Sequence, residues 1–271
     1  MNRSERAKIA KETLDIFETG YYLSGNGNKI DCQNRFNAEF ISKEQLETLA
    51  LPETNDYTPK YEVVNESVVG TIVRLNEKEK GNCGVLNFAS AKNPGGGFLN
   101  GAIAQEEALA ASSDLYISQL TIPQYYNINR NCRTLLYTHN MIYSDSITFI
   151  RDCNLNLLSA PVTANVLTSP AVNAGAYYRN ENGDRSTVMD VMETRMRYIL
   201  KLFAAKSNRT IILGAYGCGV FGNDTADVAG IFYKLLKDEG LEQHFKQIVF
   251  AVYDPKGQQY NIFRDKFGSK E

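Results

Sequence analysis

Two glycine-rich stretches of this chain each connect a strand-like apolar run to a helical segment. The first, SAKNPGGGFLNGAIA, follows GVLNF, and the second, AYGCGVFGND, follows TIILG. Glycine tolerates φ > 0 and leaves no side chain between backbone N–H groups and a ligand. Two such strand-to-helix loops in one sheet can hold a diphosphate through N–H groups and helix N-termini. The alternative is that the glycines only form tight turns.

Neither glycine-rich stretch carries a complete nucleotide-binding fingerprint. The chain lacks G-x-x-x-x-G-K-[ST], and neither stretch fits the strict G-x-G-x-x-G of a first βα unit. The pattern therefore disfavours a kinase, a GTPase or a dehydrogenase.

Strand-like and helical segments alternate along most of the chain, which predicts an α/β fold. Such alternation is typical of a mainly parallel or mixed sheet with helices on both faces, and ligands bind there at the carboxyl ends of the strands. No internal repeat or Pro/Ser-rich linker separates the chain into independent parts. The predicted helices are 4–19, 42–50, 66–80, 105–119, 186–205 and 225–239. The predicted strands are 61–64, 84–87, 135–137, 147–150, 164–168, 210–213 and 248–253.

Composition and charge exclude several classes of function. With 43% hydrophobic and 22% charged residues among 271, the chain can form a sizeable core. Its 29 Lys+Arg against 31 Asp+Glu give a net charge of −2, so no overall basic field predicts sequence-specific nucleic-acid binding. The charged N-terminal stretch does not fit a signal peptide, and we find no apolar run of membrane-spanning length. We expect a cytoplasmic protein with no membrane partner.

The histidine and cysteine content gives little support for a metal site or a histidine-dependent triad. The two histidines, His139 and His244, are expected to be structural. The five cysteines are odd in number and scattered, with none at C-x-x-C spacing, so free thiols are expected. Cys218 in GCG has the sequence position of a nucleophile, but it lacks a basic neighbour and we interpret it as a small filler. We expect neither a metal nor a cofactor.

Gln105, Glu106 and Glu107 begin the helix predicted after the first glycine-rich stretch. Acidic side chains are favoured there by the helix dipole and the unpaired N–H groups, so capping is the simplest explanation. A carboxylic acid beside a bound diphosphate, however, keeps its proton more readily because like charges repel. Such an acid can protonate a glycosidic oxygen, so that a ribosyl bond breaks through an oxocarbenium-like state. The combination predicts cleavage of a ribosyl bond in a nucleoside-diphosphate sugar.

The same residues resemble the signature of the microbial-type poly(ADP-ribose) glycohydrolases, GGG followed after six to eight residues by QEE. Here the glycines are residues 95–97, the spacer is FLNGAIA and QEE is residues 105–107. Further blocks are similar and occur in the same order: NFASAKNPGGG, EALAASSDLY, TSPAVNAGA, LGAYGCGVFGND and VFAVYD. The resemblance covers nearly the whole chain. It implies a macrodomain-like three-layer α/β/α sandwich with a mixed, mainly parallel sheet, in which residues 1–60 form an N-terminal helical extension packed on a catalytic core of residues 61–271.

The resemblance also implies an activity, which is metal-independent hydrolysis of ribose–ribose O-glycosidic bonds with release of ADP-ribose. Glu107 matches the family's catalytic acid and base, and Glu106 and Gln105 match residues that place it and the ribose. The positions that match the lining of the distal ribose and the diphosphate are Asn93, Gly95, Gly96 and Gly97. The second loop matches the segment that closes over the diphosphate, which implies roles for Gly217, Cys218, Gly219, Val220 and Phe221, the last against the distal ribose.

The adenine pocket is less well defined by the resemblance. In macrodomains it lies near the end of the last strand and the start of the first core helix, so the candidates are Asn65, Glu66, Tyr253 and Asp254. Tyr253 is equally compatible with a place in the core. Tyr125 and Tyr126, which follow the QEE helix, either line the site or cover the sheet. The expected partner is an ADP-ribose polymer or an ADP-ribosylated protein, bound by a monomer.

Three other functions stay open at this point. A macrodomain reader would bind ADP-ribose without turnover, although the intact QEE argues against a pure binder. A mono-ADP-ribosyl hydrolase would remove a single ADP-ribose from a modified protein or nucleic acid. A nucleotide-sugar transferase would need an acceptor site, and none is evident in the sequence.

Overall fold

The computed structural model describes residues 1–54, 57–78 and 83–268. Its helices and strands follow the chain in the order α1 (Arg3–Thr19), β1 (Tyr21–Leu23), β2 (Lys29–Asp31), β3 (Asn37–Ile41), α2 (Lys43–Glu47), β4 (Lys60–Val64), α3 (Val68–Lys78), β5 (Cys83–Phe88), α4 (Gln105–Ser112), α5 (Leu115–Leu120), α6 (Pro123–Asn131), β6 (Met141–Arg151), β7 (Leu157–Ser169), α7 (Ala174–Asn180), α8 (Arg185–Ala205), β8 (Thr210–Leu213), α9 (Thr225–Tyr233), β9 (Gln247–Ala251) and α10 (Gln258–Phe267). A π-helical turn, Lys234–Asp238, continues α9.

Within the described residues, seven strands form the main sheet in the order β3-β6-β7-β5-β8-β9-β4. The four neighbouring pairs from β7 to β4 are parallel. The β3–β6 and β6–β7 pairs are antiparallel. The sheet is therefore mixed and mainly parallel, and the predicted fold class is confirmed.

Helices cover both faces of this sheet, which is why its central strands are apolar on both sides. In β8, Ile211 and Leu213 belong to a core that also contains residues of α8, α9 and α10. The intervening Ile212 belongs to a second core with residues of α3 and α4. All three side chains are buried. Successive residues of one strand thus point into two separate cores, which gives the expected three layers.

The segment before β4 contains strands as well as helices. Its helix α1 begins with a capping box between Asn2 and Glu5 and ends at Gly20, which has φ +81°. The hairpin of β1 and β2 follows, and β3 pairs with β6 at the edge of the main sheet. The sequence did not predict these short strands. The division into an extension (1–60) and a catalytic core (61–271) stays a prediction.

The predicted strand 135–137 is wrong, because this stretch forms a turn. The buried Arg195 of α8 determines its shape: Nη2 donates to the carbonyl oxygens of Leu136 at 2.9 Å and Tyr137 at 3.2 Å. Tyr137 adopts φ +56°, which is unfavourable for a bulky side chain and incompatible with a strand.

The predicted helix 105–119 is interrupted and forms α4 and α5. At the break, Ser113 is extended and forms a bridge with Phe149 of β6. Asp114 then accepts a hydrogen bond from Thr148 N at 2.8 Å. Short polar side chains compete for backbone groups in this way, and they interrupt the helix.

Other boundaries differ by smaller amounts. Residues 79–80 of the predicted helix 66–80 lie outside the described residues, and α6, α7 and α10 were not predicted. Strands β6 and β7 are much longer than predicted because they form one long antiparallel pair. Over the described ranges, the helices include none with both the length and the apolar character needed to cross a membrane.

Candidate active site

The predicted site residues come together at one edge of the main sheet. The parallel strands β4, β5, β7, β8 and β9 all end there, because parallel neighbours run in the same direction. Contacts join the segments that follow them: Ala89 N donates to Ser169 O at 3.1 Å, and Val252 N donates to Val64 O at 2.9 Å. The two glycine-rich loops follow adjacent strands, β5 and β8.

Gln105 attaches the start of α4 to strand β5. The pairing of β5 with β8 ends at Val85 and Ile212. Beyond this point the Gln105 carboxamide forms hydrogen bonds with the backbone of β5. Nε2 donates to Leu86 O and Oε1 accepts from Phe88 N, both at 2.8 Å. Both polar atoms of Gln105 are therefore bonded to the backbone of β5.

Glu106 is buried, with 3% of its surface exposed, and accepts three hydrogen bonds. Oε2 accepts from Ser90 N at 2.6 Å. Oε1 accepts from Asn87 Nδ2 at 3.2 Å and from Gln119 Nε2 at 3.1 Å. Burial raises the pKa of Glu106 to about 8, although these three donors oppose the shift. The side chain links β5, the first glycine-rich loop and α5.

Glu107 is partly exposed and faces the first glycine-rich loop. Its Oε1 accepts a hydrogen bond from Gly97 N at 2.9 Å. Gly96, at φ +59°, lies against both glutamates, and a Cβ atom there would collide with the carboxyl group of Glu107 and make a tight contact with that of Glu106. The loop needs glycine because only glycine combines φ > 0 with such a close approach.

The three glycines of the first loop all donate their N–H groups to acceptors within the protein. Gly95 N donates to Gln119 Oε1 at 2.7 Å. Gly96 N donates to the carbonyl oxygen of Asn93, which is exposed, at 3.1 Å. Gly97 N donates to Glu107. In this structure the glycine run thus supports the carboxyl groups, and its own N–H groups are not free for an anion.

The second glycine-rich loop is different. In the part of the chain that the structure describes, the N–H groups of Gly219, Val220 and Phe221 have no acceptor. Val220 is 93% exposed. The base of the loop is fixed by Asn223, whose Nδ2 donates to Gly217 O at 3.0 Å. Successive free N–H groups can bind an anion, so this loop is the candidate anion site.

Two side chains of this loop point inward. Cys218 is buried, and burial raises the pKa of its thiol to about 12, so it remains protonated and fits the expected filler role. The ring of Phe221 is half-buried and lies 6.4 Å from that of Tyr137.

A cavity of about 790 Å³ opens beside α4 and the ends of β4 and β9. Asn65, Glu66 and Tyr253 line it, and Asp254 is joined to Asn65 by two hydrogen bonds of 2.8 and 2.9 Å. Tyr253 is 69% exposed, so a place in the core is wrong for it. Among the described residues, the lining reaches the QEE segment only at Gln105 and includes neither glutamate and none of the predicted loop glycines.

Tyr125 and Tyr126 cover the sheet and do not line an open site. Both are buried on α6, with ring centroids 4.8 Å apart in a T-shaped arrangement. They belong to an apolar cluster with Ile142 of β6.

The described residues contain no group of three or more His, Cys, Asp or Glu side chains that could hold a metal ion. Burial, together with Arg195 and Lys43, lowers the pKa of His139 to about 3. Burial also lowers the pKa of His244. Both imidazoles are therefore held neutral.

The residues that support Glu106 were not predicted from the sequence. Asn87, Gln119 and Thr168 form a buried polar network, in which both amide groups donate to Thr168 Oγ1 at 3.2 and 3.3 Å. A usable signal was the polar Asn87 near the end of the apolar strand GVLNF, because a buried amide needs partners.

Known proteins resemble this chain in sequence and in structure. The family model described as microbial-type PARG, catalytic domain, matches residues 10–152. No curated protein sequence matches the chain. The crystal structure of poly(ADP-ribose) glycohydrolase (PARG) from Thermomonospora curvata is 36% identical, with a TM-score of 0.92 over 98% of this chain and 100% of that one.

Two further structures contain ligands. The same Thermomonospora curvata enzyme bound to the inhibitor ADP-HPD is 36% identical, with a TM-score of 0.89 over 98% of this chain and 100% of that one. The Deinococcus radiodurans PARG in complex with ADP-ribose is 40% identical, with a TM-score of 0.79 over 85% and 94% of the two chains. The family match and these identities show that the chain belongs to the microbial-type poly(ADP-ribose) glycohydrolase family.

Proposed function

We propose that this protein is a poly(ADP-ribose) glycohydrolase, which hydrolyses ribose–ribose O-glycosidic bonds and releases ADP-ribose. The observation that carries the proposal is the position of Glu107. Its carboxyl group is partly exposed, is oriented by Gly97 N–H, and lies at the edge of the sheet where the second glycine-rich loop presents free N–H groups. An acid and a candidate anion site thus lie at the same edge of the sheet, in loops that follow adjacent strands.

We assign the chemical steps to Glu107. As a carboxylic acid it donates its proton to the oxygen of the leaving ribose while the anomeric C–O bond breaks and its electron pair passes to that oxygen. The resulting carboxylate then takes a proton from water as the water oxygen attacks the anomeric carbon. Glu107 ends the cycle protonated, and one water molecule is consumed per bond.

The neighbouring residues are proposed to position the reactants. Glu106 and Gln105 are bonded to the loop and to β5, so they hold the start of α4 and with it Glu107. Asn93 and the run 95–97 border the distal ribose.

The two halves of the ligand are proposed to bind at different places. The N–H groups of the second loop hold the diphosphate, Phe221 packs against the distal ribose, and the cavity beside Asn65, Glu66, Tyr253 and Asp254 accepts the adenine. Support comes from the free donors of the loop and from the cavity's position between the ends of β4 and β9. The Deinococcus radiodurans relative, which was solved with ADP-ribose, supports the same ligand class.

The test is incubation of the protein with an auto-modified poly(ADP-ribose) polymerase, followed by mass spectrometry of the released products. Free ADP-ribose is expected. Binding of ADP-ribose without release would identify a reader, and release only from a substrate carrying single ADP-ribose groups would identify a mono-ADP-ribosyl hydrolase. The monomeric state and the cytoplasmic location stay predictions, which light scattering and cell fractionation would test.

A further inference from the structure

The N-terminal helix α1 contacts both the turn that follows the glycine run and the end of helix α4. Arg3 Nε donates to Asn100 O and Arg6 Nε donates to Gly101 O, both at 2.8 Å. About two turns further along α1, the buried Thr13 donates from Oγ1 to Ala111 O in the last turn of α4 at 2.8 Å. One helix therefore spans the loop that carries the glycines and the helix that carries QEE.

The contact between α1 and the loop is close and specific. Gly101 has φ +69°, and a Cβ atom there would collide with the carbonyl group of Arg3. Ala10 of α1 packs in a buried cluster with Phe98 of the same loop. The Phe98 ring lies 4.8 Å from that of Tyr116 on α5. The loop is held between α1 on one side and α5 on the other.

The two arginines are placed against the usual preference of a helix. Cations are disfavoured at a helix N-terminus because the dipole is positive there, yet Arg3 and Arg6 lie in the first turns of α1. Their hydrogen bonds to loop carbonyl oxygens offset this cost, since bonds from a charged donor are stronger than neutral ones. Capping and surface charge do not account for this arrangement.

A short series of hydrogen bonds connects these carbonyls to Glu107. The 3₁₀ turn Phe98–Asn100 is closed by Gly101 N donating to Phe98 O at 2.8 Å and Asn100 N donating to Gly97 O at 3.0 Å. Gly97 N then donates to Glu107 Oε1 at 2.9 Å. The arginines thus fix the turn, the turn fixes the Gly97 peptide, and that peptide orients the acid.

We propose that Arg3 and Arg6 are positioning residues for the hydrolysis, which act through the 98–101 turn and Gly97 on Glu107. The inference rests on the proposed function for its kinetic part. Catalytic groups need support to within fractions of an ångström, so loosening the turn lowers kcat. It should change ligand affinity less than kcat, because among the described residues α1 does not line the cavity and forms no hydrogen bond with the second loop, where the diphosphate is proposed to bind.

The experiment compares the double variant Arg3→Met/Arg6→Met with Lys8→Met in the full chain. Met keeps an unbranched apolar stem and removes the donors, and Lys8 is an exposed cation of the same helix without a hydrogen bond or ion pair in the described residues. We expect the double variant to lose about tenfold in kcat on poly(ADP-ribose), which corresponds to about 1.4 kcal/mol. KM and the Kd of ADP-ribose should stay within about threefold of the Lys8→Met values. Arg6→Lys, which keeps a donor, should recover most of the rate when compared with Arg6→Met.

Amide hydrogen exchange gives a second measurement that does not depend on turnover. In the double variant, exchange should accelerate over residues 95–102 and stay unchanged over 214–223. A kcat equal to that of Lys8→Met, or faster exchange in both loops with a large fall in Tm, would overturn the proposal. If the parent protein does not cleave the polymer but the exchange difference appears, the proposed function fails and the positioning contact stands.

Discussion

The two glycine-rich loops look alike in sequence but have opposite hydrogen-bonding states. In the first, the N–H groups of Gly95, Gly96 and Gly97 are all bonded to acceptors within the protein. In the second, the N–H groups of Gly219, Val220 and Phe221 meet no acceptor among the described residues. The first loop holds the carboxyl groups of Glu106 and Glu107 through Ser90 N and Gly97 N, and the second leaves N–H groups free, as the proposed anion site requires.

The glycines also serve the two loops for different physical reasons. A Cβ atom at Gly96 would collide with the Glu107 carboxyl group and crowd that of Glu106, whereas one at Gly219 would meet no described atom within 4 Å. Glycine is thus required at Gly96 by close packing and by its positive φ, whereas at Gly219 the proposed reason for glycine is easier access of a ligand to the backbone. A glycine motif alone does not distinguish these cases, because the difference lies in residues that are distant in sequence.

Replacing Glu107 should produce the largest effect, and it should lower turnover at the first loop without changing ADP-ribose binding at the second. Glu107→Gln keeps the shape and can still accept the Gly97 hydrogen bond, but it cannot donate and recover a proton in catalysis. General acid–base catalysis typically contributes about 10²–10⁴-fold, so turnover of poly(ADP-ribose) should fall by at least that range. The measurement is kcat on the polymer, with calorimetry of ADP-ribose binding as the control. A variant that binds normally and cleaves near the parent rate would show that another group is the acid.

A matched pair of alanine substitutions tests the comparison between the loops directly. Gly96→Ala places a Cβ atom against Glu107 and Glu106 and forces alanine into φ +59°, where a non-glycine residue costs about 1–2 kcal/mol. It should lower both Tm and kcat, by about tenfold or more in the rate. Gly219→Ala should leave Tm unchanged and weaken ADP-ribose binding only a few-fold. Thermal unfolding and calorimetry measure both, and equal effects of the two substitutions would contradict the distinction.

The sequence predicted that the candidate site residues gather at one edge of the sheet, because local patterns decide that much. Strand periodicity, helix periodicity and the glycines between them place the segments after β4, β5, β8 and β9 at one edge once the sheet is parallel. The family resemblance then assigned candidate roles to Glu106 and Glu107. The fold class and the family followed from these features and were confirmed.

Long-range contacts explain what the sequence did not predict. The LLY run at 135–137 is apolar enough for a strand, but Arg195, nearly sixty residues later, holds it in a turn. The break between α4 and α5 depends on β6, whose backbone pairs with Ser113 and Asp114. In the same way, the occupied N–H groups of the first loop depend on Gln119 and Glu107 folding back onto it. Propensity in a single sequence window does not contain these partners.

The raised pKa of Glu106 should be measurable in the pH dependence of the protein's stability. The pKa of Glu106 is about 8 in the folded state against 4.5 as its ordinary value, because the side chain is buried. Between these values the native state binds the extra proton, so the free energy of unfolding falls as pH rises from about 4.5 to 8. Each unit of pKa difference is worth about 1.4 kcal/mol. Glu106→Gln does not titrate and should remove this slope.

The measurement is denaturant unfolding of the parent and Glu106→Gln proteins at pH 5 and pH 8. A constant offset is expected in the variant, because its amide N–H₂ faces the donors Ser90 N, Asn87 and Gln119. The informative quantity is the change with pH, which should favour the variant by about 1 kcal/mol or more at pH 8 relative to pH 5. Parallel pH curves would mean that Glu106 is ionised in the folded protein and that the first loop is held by a charge.

The smallest expected effect is that of a chelator, and it tests the second loop. If free N–H groups at Gly219, Val220 and Phe221 hold the diphosphate, no metal ion is needed to neutralise it, since backbone donors in a concave loop bind anions by themselves. Activity on poly(ADP-ribose) should therefore be the same, within error, before and after treatment with EDTA and desalting. Inactivation by EDTA with recovery in magnesium would contradict this, because it would place a cation where we assign backbone donors. The N–H groups of the first loop would still be bonded within the protein. The second loop would then bind the diphosphate only together with a metal ion, and its free N–H groups alone would not explain anion binding.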